Sequence, residues 1–135
     1  GYVIKGEHMY IWNYVFQIFL IRYWDERYRH IPVFRGELPG EMLAKFQHTP
    51  CGINDIILAT NQGLTDRELM GVLLHEMCHH VVFEDHGYEV VPHGFEWMAE
   101  MRRVGFDDPD WATDGTDFFS EEEYQSILEL LPEDE

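Results

Sequence analysis

The sequence predicts an α+β fold: one domain with a long N-terminal helix, a small antiparallel sheet, two central helices and an acidic C-terminal helix. Three observations carry this reading. A length of 135 residues suits one hydrophobic core and leaves too little chain for a second. Hydrophobic residues make up 45% of the chain and aromatics 15%, a globular composition and not a disordered one. Apolar runs of helical length enclose a stretch of shorter runs broken by Pro and Gly, which is how strands read. Repeats and internal boundaries are not evident, so residues 1–135 are taken as one domain, with 107–135 as its acidic C-terminal segment.

The first element is Met9–Trp24, MYIWNYVFQIFLIRYW, expected as part of a buried helix over about 8–29 that Pro32 closes. Arg27, Arg29 and His30 would then complement its C-terminal dipole. The run is shorter than the ~20 residues of a membrane span and is interrupted by Asn13 and Gln17. It also lacks the flanks of a signal peptide, so a membrane partner is not expected. Val33–Leu38, Met42–His48 and Asn54–Thr60 read as two or three strands separated by Pro39-Gly40 and Pro50-Cys51-Gly52. Thr65-Asp66-Arg67-Glu68 is a capping box that starts a helix at Thr65. That helix is apolar nearly all round from Leu69 to Phe83, which makes it central. A further helix is expected from about His93 to Val104, stopped by Gly105. Ser120-Glu121-Glu122-Glu123, a second capping box, opens the last helix, to about Leu131.

The charge is unevenly spread. The formal net charge is −17, and residues 107–135 carry twelve acids and no base. An acidic surface repels phosphate backbones, which argues against a nucleic-acid partner. It acts as a solubilising face or, alternatively, docks on a basic protein. The two cysteines, Cys51 and Cys78, do not make a disulfide framework and favour a reducing, cytoplasmic setting.

The central helix carries His75-Glu76-Met77-Cys78-His79, H-E-x-x-H. A helical residue turns by about 100°, so residues four apart lie roughly 40° apart on one face. His75 and His79 can therefore aim at one point, as two ligands of a single Zn2+ must, with Glu76 bordering the same face. A catalytic zinc takes three protein ligands and leaves a place for water. Candidates for the third are His80, Asp85, His86, Glu89, His93, Glu96 and Glu100. His93 is preferred, because it follows a loop long enough to fold back and precedes Gly94, which lets backbone approach a metal. A glutamate on the next helix, Glu96 or Glu100, is the alternative.

The stretch Leu73-Leu74-His75-Glu76-Met77-Cys78-His79, a loop with Gly87, then His93-Gly94-x-x-Trp97-Met98 and Gly105, resembles the SprT-like metallopeptidases, which include the Spartan DNA–protein crosslink proteases. The resemblance covers roughly 55–105. It implies a zincin-like domain in which His75, His79 and His93 bind zinc and Glu76 is the catalytic base. Trp97 stands where that family usually has Phe. A zinc-ribbon module and a basic DNA-binding stretch, which accompany many of its members, are not expected here.

The expected activity is hydrolysis of peptide bonds in a protein or peptide substrate, with Glu76 moving the proton of a metal-activated water. Tyr88, His80 and Arg103 are candidate oxyanion donors, and Ile53–Thr60 is the candidate sheet edge for an extended substrate. The alternatives are a structural zinc closed by His80 or His86, or a non-catalytic acidic protein that docks on a basic partner.

Overall fold

The computed structural model describes residues 9–87 and 89–132, with backbone alone at 9 and 10. Four helices and one three-stranded sheet follow one another as α1 (Met9–Trp24), β1 (Val33–Gly36), β2 (Ala44–Gln47), β3 (Asp55–Ala59), α2 (Asp66–His86), α3 (Phe95–Val104) and α4 (Glu121–Leu128). The α+β class follows directly.

In α1, Ile11, Trp12, Val15, Phe16, Phe19, Leu20 and Trp24 are buried, the spacing of one helical face, while Tyr14 and Ile21 are exposed. The helix stops at Trp24, earlier than expected, and residue 8 lies outside the described chain. Asp25 and Glu26 take left-handed backbone conformations, φ 54° and 59°, and the Glu26 N–H turns back to the Leu20 carbonyl at 3.1 Å. The chain is thus unwound before the basic residues, and Arg29 instead pairs with Glu84 at 2.7 Å and donates to the Gly52 carbonyl.

The sheet is mixed, which corrects the antiparallel expectation. Its order is β1-β3-β2, with β1 parallel and β2 antiparallel to β3. β3 is therefore the central strand and not an edge. Its Ile56 and Leu58 are fully buried. The β1 edge is closed by α1, where the Asn13 side chain both accepts from the Val33 N–H (2.9 Å) and donates to the Val33 carbonyl (3.1 Å). That accounts for the polar interruption in an apolar helix, and among the described residues it leaves β2 as the edge without such cover.

Helix α2 begins where its capping box specifies. Thr65 Oγ1 accepts from the Glu68 N–H at 3.2 Å, and the Thr65 N–H donates to Glu68 Oε1 at 2.9 Å. It packs against α1, the sheet, α3 and α4. The second box at Ser120 and Glu123 is equally complete, and its helix ends at Leu128, a little short of Leu131. Arg67 ties the two helix starts together by donating to the Phe119 carbonyl at 2.9 Å.

The acidic segment between α3 and α4 is not loosely attached. A Cβ on Gly71 would lie 1.8 Å from the Gly115 carbonyl oxygen, and one on Gly115 would lie 2.2 Å from that of Gly71. Backbone meets backbone there, so this loop is seated on α2 one turn before His75. Among the described residues no helix is long and apolar enough to cross a membrane.

Candidate metal centre

His75 and His79 lie one turn apart on α2, and the structure brings His93 to them. One ligand atom from each of the three lies within 4.8 Å of the others, a group that can hold a metal ion. His79 Nε2 is 3.0 Å from His93 Nε2, and the His75 and His79 rings are 5.0 Å apart. The donor set fits zinc: three imidazoles from two segments converge on one point, and burial keeps them neutral, as metal ligation requires. Burial lowers the pKa of His75 to about 4 and that of His79 to about 2, and it lowers that of His93 as well. For His75 the Thr113 backbone and the Asp114 carboxylate oppose the shift, while its buried Nδ1 has no hydrogen bond of ordinary geometry.

His93 is not on the following helix, as expected, but in the turn before it. Gly94 N–H closes that turn onto the Val91 carbonyl at 3.0 Å, with Pro92 second and His93 third at φ 60°. The third place of such a turn commonly takes glycine, so His93 holds a left-handed conformation that few side chains favour. Gly94 is the N-cap of α3, and a Cβ there would press on Val91 at 3.0–3.1 Å. The lack of a Cβ at Gly94 therefore lets the turn close tightly against Val91.

Trp97, on the first turn of α3, supports all three imidazoles. Its ring lies 5.1 Å from His75, 5.2 Å from His79 in a stacked arrangement, and 4.6 Å from His93. The indole is fully buried and fixes ring positions by packing.

Glu76 sits beside the ligands, its Oε1 3.6 Å from His75 Nε2. Burial pushes its carboxyl up to about 8, against the opposing pull of the Phe46 backbone hydrogen bond. Phe46 lies on β2. The Leu43 carbonyl accepts from the Ala59 N–H, and antiparallel pairing alternates, so Ala44 and Phe46 turn their backbone groups to the open edge. Glu76 thus lies between the imidazoles and that edge.

The centre opens into a cleft of about 500 Å³. β2 and the residues before it, α2, the Val90–His93 connection and the Trp111–Asp114 loop line it. His48, which sequence reading passes over as ordinary, lies in this wall with its ring 4.4 Å from that of Phe83.

Other sequence candidates lie elsewhere. His80 is fully buried, with Nε2 3.0 Å from the Arg29 carbonyl, so it neither closes a metal site nor faces the cleft. Arg103 donates to Glu100 and to the Tyr23 carbonyl, and is not an oxyanion donor. Tyr88 lies outside the described residues. Glu100 also accepts from Trp24 Nε1 at 2.6 Å, Asp85 accepts from Tyr28, and His86 and Glu89 are exposed away from the imidazole group. Glu96, also exposed, is not in that group either.

The fold and centre define a small α+β domain with a zincin-like histidine cluster under an open sheet edge. The SprT-like family pattern matches residues 21–114, and the chain belongs to that family. No curated protein matches it.

Proposed function

We propose that this chain is a zinc metalloendopeptidase that hydrolyses peptide bonds of extended polypeptide segments, with His75, His79 and His93 as zinc ligands and Glu76 as general base. The observation that carries this reading is the convergence of three neutral imidazoles within 4.8 Å at the floor of an open cleft. Membership of the SprT-like family supports a metallopeptidase-type domain. Zinc, when bound, supplies Lewis acidity to the scissile carbonyl and to a water.

The remaining work falls to the chain itself. Glu76 accepts the proton of the attacking water and returns it to the leaving amine, so the carboxylate ends the cycle as it began. Trp97 holds the imidazoles in place. The outward backbone groups of Ala44 and the Phe46 carbonyl bind the substrate main chain as an added strand, next to the Phe46 N–H that Glu76 accepts from, and bring the substrate carbonyl towards Glu76. The substrate edge is therefore β2, in place of β3. The charge of −17 makes nucleic acid a poor partner.

The test is cleavage of an unfolded protein such as casein by the zinc-loaded chain. Activity that a chelator removes and zinc restores is expected. A well-folded, zinc-loaded chain with no cleavage, together with salt-sensitive binding to a basic protein, would favour a non-catalytic acidic docking protein instead.

A further inference from the structure

Three large hydrophobic side chains stand exposed around the cleft, and each comes from a different segment. They are Met42 before β2 (40% exposed), Val91 in the turn that carries His93 (65%), and Trp111 in the loop seated on α2 (76%). Exposed apolar groups scattered singly need no explanation, but their convergence on one cleft marks a binding surface.

Trp111 is also held in place. On one side the Ala112 N–H donates to Asp110 Oδ1 (2.9 Å), and the Thr113 N–H reaches the Asp110 carbonyl (3.1 Å). On the other, Asp114 accepts from the Thr116 N–H and hydroxyl at 2.9 and 2.8 Å. Beyond it the Gly71–Gly115 contact fixes the loop to α2 one turn from His75. The braced backbone under the indole needs little further ordering when a ligand covers it, so the cost falls on the two side-chain torsions of Trp111 alone.

Charge then selects among occupants. Besides Glu76, the charged residues lining the cleft are Lys45 and Asp114, of opposite sign. An apolar subsite gives a carboxylate no partner to offset its desolvation, and the net charge of −17 repels acidic segments against the local pull of Lys45 and of a bound zinc.

We infer that Met42, Val91 and Trp111 form a side-chain subsite for a bulky uncharged residue, and that the cleft selects extended segments carrying Leu, Phe or similar residues beside the cleaved bond over acidic ones. The position beside a cleaved bond rests on the peptidase reading; the binding itself does not. Segments of that kind are buried in folded proteins, so the substrates are unfolded or newly exposed stretches of chain.

The experiment uses the full chain, loaded with zinc and carrying Glu76→Gln, and blocked octapeptides of Gly and Ser with Leu, Phe or Asp at the centre. Trp12, Trp24 and Trp97 are at most 1% exposed, so a blue shift in indole emission reports on Trp111. In the chain that keeps Trp111 the Leu and Phe peptides are expected to shift the emission, and by titration calorimetry, which needs no indole and so also reads the Trp111 variants, to bind about tenfold more tightly than the Asp peptide. Trp111→Ala should remove most of that preference, Trp111→Phe should keep it, and Ile21→Ala, on the exposed side of α1, should leave it unchanged. In the otherwise unaltered enzyme, Trp111→Ala should raise KM for the Phe peptide with a smaller change in kcat.

Equal binding of the Asp and Phe peptides, or a preference that survives Trp111→Ala in a folded variant, overturns the inference. If casein is nonetheless cleaved, the peptidase reading stands without it. If the apolar peptides bind through Trp111 but the unaltered chain cleaves nothing, the subsite stands and the peptidase reading falls.

Discussion

Helix α1 buries Trp12, Phe16, Phe19 and Trp24, and its polar side chains Asn13 and Gln17 have partners in Val33 and His30. Helix α2 is just as apolar in outline, yet it buries His75, Glu76 and His80. Of these His80 alone behaves like the polar groups of α1, with its Nε2 hydrogen-bonded to the Arg29 carbonyl deep in the core. His75 and Glu76 instead meet the cleft. Burying polar groups without full hydrogen bonding costs free energy: α1 leaves one such side-chain atom, Trp12 Nε1, while α2 leaves His75 Nδ1 and His80 Nδ1 and also buries the Glu76 carboxyl. The difference teaches that one helix is built to pack, while the other brings together side chains that can hold a metal ion, so under the proposed function their substitutions should separate stability from metal binding.

The largest expected effect is at His79. His79→Ala should reduce zinc affinity by more than the ~10–100-fold that loss of an outer-shell partner costs, and take cleavage to background. The metal-free protein should keep its thermal midpoint, because the imidazole is held neutral at a desolvation cost. Zinc titration and thermal melts on chelated protein check both halves. A large loss of metal-free stability would make His79 an α1-like packing residue.

Phe16→Ala should do the reverse. Phe16 is fully buried against the core, so about 3–5 kcal/mol of stability should go while zinc stoichiometry stays unchanged. Urea unfolding with parallel metal analysis reads this.

The third prediction concerns pH in the metal-free protein. The Glu76 carboxyl titrates at about 8 in the fold against an ordinary 4.5. A raised pKa means that the folded state is favoured while the group is protonated, and that this advantage is lost as pH rises from about 4.5 through about 8. Glu76→Gln removes the titration. The variant should match the original at pH 4 and exceed it by about 3–5 kcal/mol well above pH 8, as measured by denaturant unfolding in chelator. Equal pH dependence in the two proteins would contradict a desolvated Glu76.

Local chemistry made part of this molecule legible in advance. The Thr65–Glu68 box fixes the start of α2, and H-E-x-x-H sets two imidazoles on one face, because capping and helical period depend on neighbours in sequence. The direction of β1 was not legible. Whether a strand pairs parallel depends on where the chain returns, and here β3 inserts between β1 and β2. Reading β3 as an edge puts the candidate substrate edge on a strand that is central in the sheet. The end of α1 was missed because Asp25 and Glu26 adopt left-handed backbone, which only some such residues do. The pairing of His93 with Gly94 points to His93, and the structure brings it within 4.8 Å of His75 and His79, but its place in a tight turn is hidden, since no short motif announces a left-handed histidine. The Trp111 loop lies in an irregular acidic stretch. Its signal was the pair Gly71 and Gly115, and a glycine inside an apolar helix marks a close approach only once the partner is known.

The most direct test of the central claim measures zinc content and casein cleavage together in the original chain and in Glu76→Gln. Glu76 is the residue that separates holding a metal from using it. Both proteins should hold one zinc per chain, while the variant loses at least about 100-fold in cleavage rate. Equal cleavage by a Glu76→Gln preparation of equal zinc content would contradict the account.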